Sequence, residues 1–476
     1  MFTTKEAAEY LGVSMARIRQ LIGEGRLVAQ RNGKSWLVDR ESLDRFAATA
    51  SVGRPRGSTE KRRSNAPVRY TLMSRGHRVA RCVYDPVEMR FTQVDVIDAE
   101  RVPLALLSYK MQDSLPRSFN AWWRGRGIPN SRWRLDRRLE ELELRSAFEL
   151  PLRSYGLSLS DQYWLLHDGD DVSWEDVNFF RNEYAMGPVG EDGSVASWAG
   201  AWMNAVGLSS PDNTTDGMLN KRWLVDEEGR RVLAKGCGSS GREAYNEVVA
   251  TMLYRRLLPE GRYVEYRLGS WRGEDVSVCE TFLREEEEFV PARFVLMLKK
   301  KPNSHSELRH YSELCEDLGV RYAESQLTRM LVCDSILANT DRHWGNFGVI
   351  RNIETLEYRW APIFDTGTSL WSHLRPREII GGDYSFETKP FYKDPGRQLE
   401  AMVDASWYRP EALEGFPDEV EGFLASALGS HELAAAIAKG VGKRIGAVNS
   451  WARQAATSRI DRGWIDDPEH IEWVWL

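Results

Sequence analysis

Apolar positions change period along this chain, and each change marks a different kind of element. Ala7, Ala8 and Leu11 recur at helical spacing behind Thr4, a residue type that caps helices. Gly12-Val13-Ser14 breaks the run. Ser14 then opens a second helix with Ile18, Leu21 and Ile22 inward and Arg17, Arg19 and Gln20 on its other faces. Residues 28–36 read as a hairpin about Asn32-Gly33, a type I′ turn pair, and residues 38–43 open a further short helix. Patterning switches to strands at 70–72, 78–83 and 91–97, then back to helical spacing at 119–126 and 132–138, where aromatics interleave with arginine. Such a mixture can stack on single-stranded nucleic acid. A helix that packs its rings and leaves its arginines wet is the preferred reading. Residues 157–164 and 174–180 continue the region without a catalytic constellation.

The second half alternates more regularly. Strands at 221–225 and 231–235 flank the turn 226–229. A helix follows with Tyr245, Val248, Val249, Met252, Leu253 and Leu257 as its stripe, and then a strand at 276–283. Leu327, Met330, Leu331, Leu337 and Ala338 define a buried helix that ends at Asn339-Thr340. Beyond it, residues 347–350 and 358–364 form a hairpin that turns at 352–355.

Composition narrows the picture. With 476 residues, 42% hydrophobic and 28% charged, the chain is ordinary globular protein of two to four domains. Its net charge of −6 is uneven. Residues 1–65 hold thirteen Lys and Arg against seven Asp and Glu, a net +6, so the remainder carries −12 and only the first segment suits a polyanion. Five scattered cysteines, never spaced as CxxC, speak against a disulfide framework or a structural zinc site. With no apolar leader and no membrane-length apolar run, a cytoplasmic protein with no membrane partner is expected. The 18 tryptophans are dispersed through apolar patterns and read as core.

Candidate chemistry concentrates at 327–369. A buried helix leads into Asp341-Arg342-His343-Trp344-Gly345-Asn346, and the hairpin after it delivers Asp365-Thr366-Gly367. Phosphoryl transfer needs a carboxylate near the acceptor hydroxyl and hard oxygen ligands for Mg²⁺ on the phosphates. D-x4-N followed by a second Asp supplies these. Asp341 is then the base or hydroxyl orienter, while Asn346 and Asp365 are the metal ligands. Upstream, the hydroxyl-rich loop 209–217 can cradle phosphates through Thr214, Thr215 and Gly217. Lys235 ends a strand where an ammonium would meet the α- and β-phosphates. Its ion-pair partner is Glu247, although helical periodicity places Glu247 nearly opposite the apolar stripe; Glu243 is the alternative. Glu280 and Phe282 fall on the segment expected to face adenine.

Two resemblances add to this reading. The stretch TTKEAAEYLGVS…IRQLIGEGRL resembles the excisionase/MerR-like winged helix-turn-helix family over about 45 residues. That resemblance implies DNA contacts by Arg17 and Arg19 in the major groove and by Arg31 and Lys34 on the wing. A small module for protein contacts is the other reading. Gly53-Arg54-Pro55-Arg56-Gly57 resembles an AT-hook core, so Arg54 and Arg56 are either minor-groove contacts or part of a basic linker.

The stretches TTDGMLNKRW, VLAKG, YNEVVATMLYRRL, CETF, MLVCDSILANTDRHWGNFGVIR and APIFDTGTSLW resemble the HipA-like bacterial serine/threonine kinases over about residues 205–375. The resemblance implies dependence on ATP and Mg²⁺, a protein substrate and a link to toxin–antitoxin modules. It also implies autophosphorylation at Ser209, Ser210, Thr214 or Thr215, which would repel the phosphates of ATP. HRD and DFG motifs are lacking, and residues 1–50 bring their own helix-turn-helix where HipA-like kinases use a partner. The expected fold is α+β, a two-lobed protein-kinase-like fold preceded by a small winged helix-turn-helix domain. Expected boundaries are 1–50, a linker 51–67, a mixed extension 68–205 packed on the kinase, an N-lobe 206–282 and a C-lobe 283–476. A small-molecule kinase, or a DNA-binding regulator with a nucleotide-sensing pseudokinase domain, remains an alternative.

Overall fold

The computed structural model describes residues 1–11, 18–19, 21–22, 27–32, 35–49, 65–109, 114–126, 146–149, 151–180, 221–225, 230–238, 240–271, 273–402 and 404–461. The chain divides into two compact units, residues 1–65 with 171–178, and residues 66–170 with 179–476. No helix among the described residues is long and apolar enough to cross a membrane.

In the first unit, β1 (Phe2–Thr3), β2 (Ala29–Asn32) and β3 (Ser35–Val38) form a sheet in the order β1-β3-β2. The first helix, Thr4–Leu11, is capped one residue earlier than expected. Thr3 Oγ1 accepts from Glu6 N at 3.3 Å, while Glu6 Oε2 accepts from Thr3 N at 2.8 Å, so both partners of a capping box are present. Ala7, Ala8, Ile18, Leu21, Leu27, Val38 and Leu43 close one apolar core. The helix Arg40–Thr49 is capped by Asp39, whose Oδ2 accepts from Ser42 N at 3.0 Å.

Among its described residues the second unit holds three antiparallel sheets. β4 (Val68–Ser74), β5 (His77–Asp85), β6 (Arg90–Val96) and β7 (Tyr163–His167) pair in the order β6-β5-β4-β7. β7 was not read as a strand from the sequence, because its run YWLLH lacks alternation. The helix Leu115–Arg124 buries Phe119, Trp122 and Trp123 beneath this sheet, so these rings are core; residues 132–138 lie outside the described residues. Its base is locked to the rest of the unit. Gln162 Nε2 donates to Glu287 O at 2.8 Å, Phe289 N donates to Ser160 O at 2.9 Å, and Arg351 joins Glu288, the Tyr163 hydroxyl and Val102 O.

β8 (Lys221–Val225), β9 (Arg231–Gly236), β10 (Arg267–Trp271) and β11 (Glu274–Glu280) pair in the order β10-β11-β9-β8. β12 (Glu287–Pro291), β13 (Gly348–Asn352) and β14 (Tyr358–Trp360) form the third sheet. Gly348 is obligatory there, since a Cβ would lie 2.1 Å from Val290 O. The helix Ala323–Leu337 runs through the main core, with twelve of its fifteen residues buried. That explains why its apolar residues overflow a single stripe. The return strand β14 is shorter than expected, and an irregular segment carries the chain from it to Asp365.

Candidate active site

Lys235 lies one residue before the end of β9, with its side chain buried. Its Nζ donates to Glu247 Oε1 at 2.6 Å and to Asp365 Oδ1 at 2.5 Å. Glu247 reaches it because the helix Glu243–Leu257 is buried on both faces, not along one stripe. The face opposite the stripe is the one that meets the Asp365 segment. There Asn246 Nδ2 donates to Gly367 O and Ser369 O, and Glu247 Oε2 accepts from Thr366 N at 3.0 Å. A Cβ on Gly367 would come within 3.1 Å of Glu243 O, so the glycine permits this approach. Glu243 is not the partner of Lys235. Its carboxylate instead ties down the loop that enters its helix by accepting from Gly238 N, Ser240 N and Arg242 N.

Electrostatics follow from burial and pairing. Burial opposes the Lys235 charge, yet Asp365 and Glu247 carry the ammonium well above its ordinary range. Burial likewise raises Glu247 despite Lys235 beside it. Asp365 goes the other way: burial opposes its charge, but Lys235 and then Lys221 hold the carboxyl well below the usual range. Lys221 is the register partner of Lys235 on β8, a second cation that strand periodicity alone did not single out. Asp365 adopts φ +57°, a left-handed conformation that Asp tolerates better than most residues. Its Oδ2 has no partner among the described residues.

Asp341 and Asn346 sit on one tied loop. Asp341 N donates to Asn339 Oδ1 at 3.0 Å, and Asn346 Nδ2 donates to Asp341 O at 3.0 Å. The Asp341 carboxylate is partly exposed. Lys389 Nζ lies 2.8 Å from its Oδ1, and His343 Nε2 lies 3.9 Å from its Oδ2. Asn346 is buried, and its Oδ1 has no partner among the described residues.

The residue that sequence reasoning missed is Arg342. It is fully buried and clamps Asp334 through Nε at 2.8 Å and Nη2 at 3.0 Å. Its Nη1 donates to Asn346 O at 2.8 Å and Phe364 O at 2.6 Å, and its Nη2 to Thr366 Oγ1 at 3.1 Å. Thr366 in turn meets the Tyr254 hydroxyl at 2.8 Å, and Thr340 N donates to Thr368 O at 3.1 Å. One guanidinium thus ties the loop of Asp341 and Asn346 to the segment of Asp365. The available signal was Asp334, an acid inside a buried apolar helix, which needs a cation nearby.

Other expected residues fare differently. Glu280, at the end of β11, pairs with Arg230 at 2.7 Å and keeps 57% of its side chain exposed. Phe282 stacks on Phe364 with centroids 5.3 Å apart and meets Phe289 edge-on, next to the Asp365 segment. Arg19 is exposed beside the core residues Ile18 and Leu21. Arg31 is exposed on β2, with its guanidinium 5.7 Å from the Trp36 ring. Arg17, Lys34, Arg54, Arg56, Ser209, Ser210, Thr214, Thr215 and Gly217 lie outside the described residues.

Among the described residues no three His, Cys, Asp or Glu side chains cluster as a ready-made metal cage. The donors that do suit a divalent ion are the unpartnered oxygens of Asn346 and Asp365. Mg²⁺ takes one or two protein oxygens of this kind and completes its shell with phosphate and water.

A mixed helix and strand fold of the two-lobed protein-kinase type, behind a helix-turn-helix domain, is the class that this architecture defines. Comparison with known proteins agrees. Residues 1–51 match the family model described as a helix-turn-helix domain. A 115-residue stretch is 28% identical to the serine/threonine-protein kinase CtkA of Helicobacter pylori strain J99, covering 22% of this chain and 35% of that protein. The chain therefore matches about a third of the length of this curated relative. A structure of the Shewanella oneidensis MR-1 toxin–antitoxin complex of HipA, HipB and operator DNA superposes with TM-score 0.51 at 12% identity, over 81% of this chain and 99% of that one. The crystal structure of the Helicobacter pylori proinflammatory kinase CtkA aligns at TM-score 0.39 and 18% identity, over 50% of this chain and 94% of that one. The fold is HipA-like, with a helix-turn-helix domain at its N-terminus.

Proposed function

We propose that this protein is an ATP- and Mg²⁺-dependent serine/threonine protein kinase of the HipA-like kind, carried to DNA by its own helix-turn-helix domain. The observation that carries the reading is the Lys235 ammonium held between Glu247 and Asp365, with the latter tied through Arg342 to Asp341 and Asn346. In this reading Lys235 meets the nucleotide phosphates, Asn346 and Asp365 hold Mg²⁺, and Asp341 accepts the proton of the acceptor hydroxyl. The metal supplies charge neutralisation on the phosphates. CtkA is itself named a serine/threonine-protein kinase, which supports a protein acceptor. Residues 209–215 offer hydroxyls for autophosphorylation, and residues 1–50 with 53–57 offer the DNA contacts.

The test is to incubate the purified chain with Mg-ATP and weigh it. A gain of phosphate in wild type, absent in Asp341→Ala and Asp365→Ala, is expected. Label moving only to metabolites would favour a small-molecule kinase, and nucleotide binding without transfer would favour a sensor. Phosphoproteomics of cells expressing wild type beside Asp341→Ala identifies the target.

A further inference from the structure

Resting on that reading, we propose that Lys389 is a positioning residue for phosphoryl transfer, the cation that holds the Asp341 carboxylate in register for the acceptor hydroxyl. Lys389 lies 48 residues beyond Asp341, yet its Nζ stands 2.8 Å from Asp341 Oδ1. Transfer needs the base carboxylate aimed at the acceptor hydroxyl, so a cation that fixes one carboxylate oxygen leaves the other oriented for the proton.

The loop of Asp341 cannot furnish that cation itself. Arg342 is fully buried and spends its donors on Asp334, Asn346 O, Phe364 O and Thr366. His343 Nε2 stands 3.9 Å from Asp341, beyond hydrogen-bond range. Among the described residues, Lys389 is the side-chain cation within hydrogen-bond reach of the Asp341 carboxylate.

A half-exposed ion pair is often incidental. This one stands on a built support. Gln398, only 3% exposed, donates to Lys389 O at 2.8 Å and accepts from Phe391 N and Tyr392 N. Thr388 Oγ1 donates to Tyr392 O at 2.8 Å. The Phe391 ring meets Trp344, inside the Asp341–Asn346 loop, edge-on at 5.1 Å. The segment is therefore fastened to the catalytic loop by packing as well as by charge, and the lysine is held in place.

In the step, the acceptor hydroxyl gives its proton to Asp341 as its oxygen lone pair forms the new O–P bond. The bond from the γ-phosphorus to the bridging oxygen breaks, and ADP leaves with that electron pair. Lys389 keeps its proton throughout. With Oδ1 taken by Lys389, Oδ2 of Asp341 is the oxygen left for the hydroxyl.

The experiment measures Mg-ATP turnover to ADP and ADP binding by the full chain as wild type, Lys389→Ala and Lys389→Arg. Expected for Lys389→Ala is a fall in kcat of about 10²-fold, on the scale of misplacing a catalytic group by about 1 Å. The KM for ATP and the ADP affinity should stay unchanged, because those depend on Lys235. Lys389→Arg should recover most of the rate. Thermal midpoints should coincide, since an exposed pair adds little stability. Wild-type kcat in Lys389→Ala overturns the proposal and leaves the kinase reading standing. A raised KM with unchanged kcat also overturns it, by making Lys389 a binding residue. Wild type that fails to turn over Mg-ATP removes both.

Discussion

Asp341 and Arg342 are neighbours in sequence and opposites in environment. Asp341 keeps 36% of its side chain exposed and is held by one half-exposed lysine, whereas Arg342 is fully buried with five hydrogen bonds to four residues. Chemistry must face the substrate, so its charge stays wet. The scaffold that positions it must not move, so its charge goes dry and is paired. Stability and activity should therefore separate at this one peptide bond.

The largest effect should come from Arg342→Ala. It strands the buried Asp334 carboxylate, and removing one partner of such a pair costs about 3–5 kcal/mol. Thermal and denaturant unfolding of the second unit would show it. The double change Arg342→Met with Asp334→Leu should regain much of that stability, since a buried pair often exchanges for apolar packing at little cost. Activity should stay lost, because the bonds to Asn346 O and Phe364 O are gone. A double variant as active as wild type would break the division between scaffold and chemistry. Next comes Asp341→Asn, expected to lower transfer by about 10²–10⁴-fold with an unchanged unfolding midpoint. A loss of stability there would show that Asp341 is also scaffold.

The sequence made one side of this comparison far more legible than the other. Asp341, Asn346 and Asp365 stood out because D-x4-N, a hairpin and a second acid form a spaced pattern, and the strands around Lys235 and the helix of Glu247 followed from periodicity. Arg342 has no spacing rule. Its role exists only once the Ala323–Leu337 helix aims Asp334 at the loop. Lys389 was hidden for a similar reason, since its segment reaches Asp341 through tertiary bonds from Gln398 and Phe391. Glu247 was found despite its periodicity, which assumes one wet face on a helix whose first three turns are buried on both faces. β7 failed on an all-apolar run, where strand and buried helix look alike.

A second buried pair, Arg351–Glu288, extends the comparison to a dry charge outside the candidate site. Burial pushes the Glu288 carboxyl up to about 7, against the pull of Arg351. An acid with a raised folded value binds its proton more tightly when folded. Its contribution to stability is therefore complete below the unfolded value of about 4.3 and is lost as pH climbs through 7. Relative to Glu288→Gln, wild type should lose up to about 4 kcal/mol of unfolding free energy across that window. Parallel curves would mean that Arg351 keeps Glu288 ionised throughout.

The smallest effect tests the same contrast between arginines. Arg19 is exposed in the first unit, on a helical segment anchored by the buried Ile18 and Leu21. Arg19→Ala removes no buried partner, so the unfolding of residues 1–65 should not change. What it removes is a cation for phosphate or base edges, as the helix-turn-helix match over residues 1–51 leads one to expect. DNA affinity should fall at low salt, and the slope of log affinity against log salt should shrink by about 1 if the contact is to phosphate. A loss confined to particular sequences, with the slope unchanged, would instead put Arg19 on a base edge. Equal binding by residues 66–476 and the full chain would assign the DNA contacts elsewhere, and the exposed charge on this helix would then serve only solubility.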